Sequence, residues 1–212
     1  MKYILSLDPA SSTGYARCSI DDRGEVSVFE YGILEVKNCS NEEFSSVGET
    51  CNILYEKVEA LLNPLPEIVY IEDFFVSSRC TRGVNLNFFL RGAISMLLSK
   101  RNIRYKFISP SEWKSYVTGV RGGRPTQAMK RAQGSSANKT IITDKLKERY
   151  GITFPEKIMI DGKLRKFKYD ISDAIGIAFC GIHSNFPSAK FPCPKDEAKD
   201  EAEDEAEDEA KD

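Results

Sequence analysis

Apolar residues along this chain follow two different periods, and the switches between them mark the elements. "KYILSLD" (2–8) is a mostly apolar run that ends on Asp8 and reads as a strand. "GYARCSI" follows as a second strand, "DDRG" as a hairpin turn and "VSVFEYGILEV" as a third, longer strand. The three predict an antiparallel meander. From Asn41 to Leu62 the spacing changes: Phe44, Val47, Cys51, Leu54, Val58, Leu61 and Leu62 recur at three- and four-residue steps. That is an amphipathic helix, stopped by "NPLP".

"EIVYIED" is a β-branched run suited to a strand covered on both faces, and it ends in Glu72 and Asp73. Leu86, Phe89, Leu90, Ala93, Ile94, Leu97 and Leu98 predict a second helix, with "KRN" at its exit. "IRYKFIS" is another strand. "SPSEWKSYVTG" reads as a short helix capped by Ser109, with Pro110 in its first turn. Residues 121–136, rich in Gly, Arg and Lys, have no apolar period and read as a mobile basic loop. "ANKTIITDKLKERYG" predicts a third long helix, "FPEKIMIDGKLRKFK" a basic loop or hairpin, and "DISDAIGIAFCGIHS" a final helix. The order implies an α/β fold: a mixed central sheet of three antiparallel strands and then parallel strands, flanked by helices.

Composition narrows the class. The chain has 212 residues, 41% of them hydrophobic, which suits one domain with a substantial core. No apolar stretch approaches the ~20 residues that span a bilayer. The first residues lack a signal-peptide apolar region. Six cysteines without a C-x-x-C pair, beside one His, argue against zinc. Scattered thiols fit a reducing compartment. The expected location is cytoplasmic, and not secreted.

The formal charge of −2 hides an asymmetry. Residues 195–212 hold 3 basic and 11 acidic residues, so the remainder has 27 basic against 21 acidic and is near +6. Residues 100–169 carry 18 Lys or Arg against 5 Asp or Glu. A basic segment in such a chain points to a polyanion, most simply nucleic acid, or else to a solvated face. Residues 1–187 read as one domain, and 188–212 as an acidic, low-complexity disordered tail.

Four acids stand at element ends: Asp8, Glu72, Asp170 and Asp173. The last two, at i and i+3, share a helix face. By themselves they read as an N-cap, Asp170, and a charge that complements the helix dipole, Asp173. Gathered together, four carboxylates would repel and raise one another's pKa. A divalent cation removes that penalty, and hard oxygen ligands suit Mg²⁺ or Mn²⁺. Two such ions ~4 Å apart can stabilise both the attacking and the leaving oxygen of a phosphodiester displacement.

The motifs "LSLDPASSTGYA", "VYIEDFF", "ISPSEWKSYVTG" and "YDISDAIGIAFCGIHS", in that order, resemble those of the RuvC-like Holliday junction resolvases of the RNase H-like nuclease superfamily. The resemblance spans most of residues 3–184. It implies that Asp8, Glu72, Asp170 and Asp173 bind two Mg²⁺ ions per active site, with Mn²⁺ able to substitute. It implies a homodimer that cuts symmetry-related strands of a four-way DNA junction in recombination and repair, leaving 5′-phosphate and 3′-hydroxyl ends. It places Lys114 near the scissile phosphate and Phe75 as a stacking aromatic, with Phe74 a competitor for that role. Lys139 matches a second family lysine. Arg79 and Arg82 lie in a loop that can touch phosphates, and Arg121, Arg124, Lys130 and Arg131 form a dense cluster in the basic loop. Asp73 points away from Glu72 in a regular strand, and His183 is assigned a structural or surface role.

Three other readings stay open. An actin-like ATPase shares the Asp and Ser/Thr/Gly turn but needs a second copy of the fold. Another RNase H-like nuclease, acting on branched DNA or RNA–DNA hybrids, shares the chemistry. A non-catalytic DNA-binding module would keep the basic surface without needing all four acids.

Overall fold

The computed structural model describes residues 1–36, 44–74, 82–121, 137–160, 162–167 and 169–193. Strands β1 (Lys2–Asp8), β2 (Ser12–Ile20) and β3 (Val26–Glu35) form the antiparallel meander. Helix α1 (Phe44–Ala60) leads to β4 (Ile68–Glu72), which pairs parallel to β1 with Leu7 opposite Ile71. Helix α2 (Arg82–Lys100) leads to β5 (Tyr105–Ile108), parallel to β4. The sheet order is β3-β2-β1-β4-β5. Helices α3 (Pro110–Thr118) and α4 (Ala137–Tyr150), a hairpin of β6 (Lys157–Ile160) and β7 (Lys163–Lys166), and α5 (Asp170–Asn185) complete the domain.

Period-two alternation sorts β1 and β4 between two cores. Leu5, Leu7, Val69 and Ile71 face α1 and α2, packing with Leu54, Val58, Leu90, Ile94 and Leu97. Ile4 and Tyr70 face the other way, into a core with Trp113, Leu146, Ile175 and Phe179 of α3, α4 and α5. Both faces of the central strands are therefore covered, which is why β4 reads as a continuous apolar run. Among the described residues no helix is long and apolar enough to cross a membrane.

Helix α3 starts and stops on local chemistry. Ser109 accepts a hydrogen bond from the Glu112 N–H, and Pro110 fills the first turn. Gly119 closes the helix in the left-handed conformation, φ 68°, which costs a residue without Cβ little. Packing continues a few residues past 187. The Lys190 N–H donates to Gly24, its carbonyl accepts from Val26, and Phe191 lies 5.0 Å from the Phe179 ring. Residues 37–43, most of the basic loop and 194–212 lie outside the described residues.

Candidate active site

Parallel pairing of β1 with β4 decides the first half of the site. The two strands run side by side and end together, so Asp8 and Glu72, their last residues, emerge at one sheet end. The C-terminal ends of parallel strands are where α/β folds place ligands. Helix α5 supplies the other half. It crosses β1 and β2 with its N-terminus above the exit of β1. Ser6, buried in β1, ties it down by donating to the Ala174 carbonyl at 2.7 Å.

Gly14 decides how closely α5 can approach. It is the β2 partner of Asp8, and a Cβ built on it would stand 2.0 Å from the Asp170 carbonyl oxygen. Only a residue without a side chain lets the helix start there. Asp170 therefore arrives beside Asp8, and Asp173 follows one turn later on the same face.

The electrostatics show the four acids acting on one another. Burial lifts the Asp8 carboxyl well above its usual range, and Glu72, Asp173 and Asp170 raise it further, Glu72 also through a hydrogen bond. Burial pushes Asp173 up to about 7; the Lys114 ammonium opposes this, while Glu72 and Asp170 add to it. Both carboxyls are therefore held above their usual range, a penalty that a cation in their midst would relieve. Among the described residues no three His, Cys, Asp or Glu side chains are already gathered as a metal cage. The donor set nevertheless fits a divalent cation: it is all hard carboxylate oxygen, crowded, with like charges that raise one another's pKa.

Glu72 is fixed from two sides. The Trp113 indole N–H donates to Oε1 at 3.1 Å, and the Arg91 guanidinium lies 3.7 Å from Oε2. Arg91 is almost fully buried. It also donates to the Glu72 backbone carbonyl at 2.8 Å and to that of Pro9 at 3.1 Å, so one side chain pins the exits of both β4 and β1. Trp113 is wholly enclosed and rests on Gly176 of α5, where a Cβ would come within 2.9 Å of its ring. Lys114 sits over that indole, 4.9 Å from the ring centroid, and its charge is felt at Asp173.

The structure brings together Asp8, Glu72, Asp170, Asp173 and Lys114. It corrects the capping reading of Asp170: the N-cap position is Tyr169, in helical conformation, and makes no side-chain capping bond, while Asp170 is the first helical residue. Asp73 is exposed and accepts from the Phe74 N–H, away from Glu72. Phe74 packs on Phe88 of α2, ring centroids 4.9 Å apart. Arg121 is exposed at the end of the segment that follows α3. His183 stacks on Tyr116 at 4.9 Å, remote from the acids in its packing. Phe75, Arg79, Arg124, Lys130 and Arg131 lie outside the described residues, as do the side chains of Arg82 and Lys139.

Sequence reasoning missed Gly14, Arg91 and Trp113. Arg91 carried a signal: it falls in register with Ile94 and Leu98, a cation inside the apolar stripe of α2. A buried Arg needs an acid, and Glu72 is the acid it reaches.

A mixed sheet in this order, with acids at the ends of its first and fourth strands and on its last helix, is the arrangement of an RNase H-like fold. Within that fold the chain is similar to crossover junction endodeoxyribonucleases. It is 25% identical over 181 residues to the crossover junction endodeoxyribonuclease RuvC of Chlorobium phaeobacteroides, covering 84% of this chain and 80% of that protein. It is 26% identical over 181 residues to the RuvC of Chlorobium phaeovibrioides, with the same coverage. Its fold matches Thermus thermophilus RuvC in complex with a Holliday junction substrate, TM-score 0.58 at 14% identity, over 90% of this chain and 99% of that one. The yeast mitochondrial Holliday junction resolvase Ydc2 matches at TM-score 0.50 and 18% identity, over 84% of this chain and 76% of that one. No family model matches the chain.

Proposed function

We propose that this protein is a divalent-metal-dependent endonuclease that resolves four-way DNA junctions by hydrolysing paired phosphodiesters, leaving 5′-phosphate and 3′-hydroxyl ends. The observation that carries the reading is the placement of Asp8, Glu72, Asp170 and Asp173 at one end of the sheet, where their charges act on Asp8. The two RuvC relatives, matched over most of both chains, support the substrate class.

Asp8, Glu72, Asp170 and Asp173 would hold the cations, two Mg²⁺ by our reading, whose chemistry is to stabilise charge on the attacking and leaving oxygens. The protein's own share is positional. Trp113 and Arg91 hold the two Glu72 oxygens in place, so the carboxylate does not reorganise during the reaction. Gly14 and Ser6 set the height of α5 and hence of Asp170 and Asp173. Lys114 adds a positive charge beside Asp173, suited to a scissile phosphate. Phe75, Arg79, Arg82, Lys139 and the basic-loop residues Arg121, Arg124, Lys130 and Arg131 are proposed to contact DNA around this centre.

We take the working unit to be a homodimer. Helix α2 presents Phe89, Gly92 and Met96 on one exposed face, at i, i+3 and i+7. Two large apolar residues around a glycine suit close self-packing about a two-fold axis.

The deciding experiment sets a four-way junction, a plain duplex and an RNA–DNA hybrid side by side, with and without Mg²⁺. The junction alone should be cut, only with metal, and Asp170→Asn should bind it without cutting. Preferential cutting of the hybrid would move the protein to another RNase H-like activity.

A further inference from the structure

The β6–β7 ribbon carries a side-chain arrangement that the active site does not use. Its inner face is anchored: Ile160 is buried, Ile158 packs on the core and Arg165 lies 3.9 Å from Glu35. Its outer face combines two unfavourable pairs. Lys157 stands directly opposite Lys166, and Met159 directly opposite Leu164. Like charges at such positions destabilise a two-stranded ribbon. The apolar pair is 63% and 62% exposed, on strands where solvent-facing charge is the usual protection. No ion pair among the described residues involves Lys157, Lys163 or Lys166. An anionic partner relieves the first pair, and one with accessible apolar rings relieves the second.

Position names the partner. Lys166 precedes Asp170 by four residues, so at ~3.3–3.6 Å per residue the two lie within about 14 Å. That is about four steps of a stacked strand at ~3.4 Å each. A strand that leaves Asp170 toward the ribbon thus meets Lys166 within about four nucleotides. Apolar wedges flanked by basic residues are how proteins unstack bases.

A cleft of about 620 Å³ opens at the foot of the ribbon, walled by Phe154, Phe167 and Tyr169 and bordered by Lys157 and Lys166. Asp144 and Glu156 share its border, which disfavours a phosphate inside and leaves a neutral base as the fit. The Thr143 hydroxyl lines it, buried and without a hydrogen-bond partner among the described residues.

We propose that the β6–β7 ribbon is a second DNA-contacting element, in which Lys157 and Lys166 hold the strand beside the cut and Met159 and Leu164 part its bases, the displaced base entering the adjoining cleft. This rests on the junction-cleaving reading and adds to it the element that opens the DNA next to the cut.

The test uses the full chain and a four-way junction in metal-free buffer. A fluorescent adenine analogue is placed one to four nucleotides from the cut. Wild type should brighten it on binding. The Lys157→Ala/Lys166→Ala double variant should bind several-fold more weakly, with a salt slope lower by about 2, since each phosphate contact contributes ~0.9. Met159→Ser/Leu164→Ser should bind within about twofold of wild type but leave the analogue dark; Leu164→Ser alone guards against a misfolded double variant. Wild-type affinity, slope and fluorescence in the variants would overturn the proposal, as would an apolar variant that changes only oligomeric state, since the ribbon would then meet a second copy. If wild type itself neither binds nor cuts junctions, the parent reading has failed; if it does both and the variants match it, only the ribbon's role has.

Discussion

The Trp113 indole, sealed inside the domain, donates a hydrogen bond to the one Glu72 oxygen that Arg91 does not face, at 3.1 Å. A helix that follows the sheet thereby steers a carboxylate at the end of the sheet's fourth strand. Groups that orient metal-binding carboxylates commonly matter 10–100-fold. Trp113→Phe keeps the ring and loses the donor. It should lower the cleavage rate about tenfold and stability by about 1–2 kcal/mol, with junction affinity in metal-free buffer unchanged. Single-turnover cleavage and a denaturant melt check it; an unaltered cleavage rate would leave Trp113 a core residue only.

Gly14 allows Asp170 to lie against β2. Gly14→Ala must push the start of α5 outward, because the new Cβ would meet the Asp170 carbonyl at 2.0 Å. A displacement of ~1 Å at reacting groups can cost ~100-fold in rate. The variant should fold, with a melting temperature a few degrees lower, bind junctions, and cut them ~100-fold more slowly. Retention of more than half the wild-type rate would show that α5 can start elsewhere.

Metal-free stability should depend on pH in a stated direction. Asp8 and Asp173 are held above their usual range, Asp173 at about 7. Between the ordinary carboxylate value of ~4 and about 7, the folded chain therefore keeps protons that the unfolded chain has released. Stability falls as pH rises through that window. In EDTA the protein should melt at a lower temperature at pH 8 than at pH 5.5. Asp173→Asn should flatten the difference, and added Mg²⁺ should raise the melting temperature more at pH 8, where fewer protons compete. Thermal melts at the two pH values decide it, and equal melting temperatures for the EDTA-treated wild type count against a shared, proton-holding acid cluster.

The exposed stripe of α2 gives a test of assembly. Phe89→Glu or Met96→Glu should shift the protein to a monomer in light scattering, because a buried unpaired carboxylate opposes association. On a four-way junction such a monomer should nick one strand rather than make paired cuts. A dimer that survives both substitutions would place the interface elsewhere.

Much of this was legible along the chain, for reasons that differ by element. β1 was readable as an apolar run that ends on Asp8, and β2 and β3 because the turn between them carries Asp and Gly. α3 was readable to the residue, because Ser109 and Pro110 start helices by chemistry local to three or four positions. The four acids stood out because each follows or opens an element. Asp170 as a cap was the natural inference from one helix in isolation, and it was wrong because its neighbours come from β1 and β2.

By itself the sequence determined periodicity, caps, turns and the residue types available, since those depend on neighbours a few positions away. The register of β1 against β4, how close α5 comes to Gly14, and that Arg91 and Trp113 reach Glu72 were decided only by the tertiary structure. Burial, like-charge repulsion and close packing are properties of residues far apart in the chain, and they exist only once it has folded.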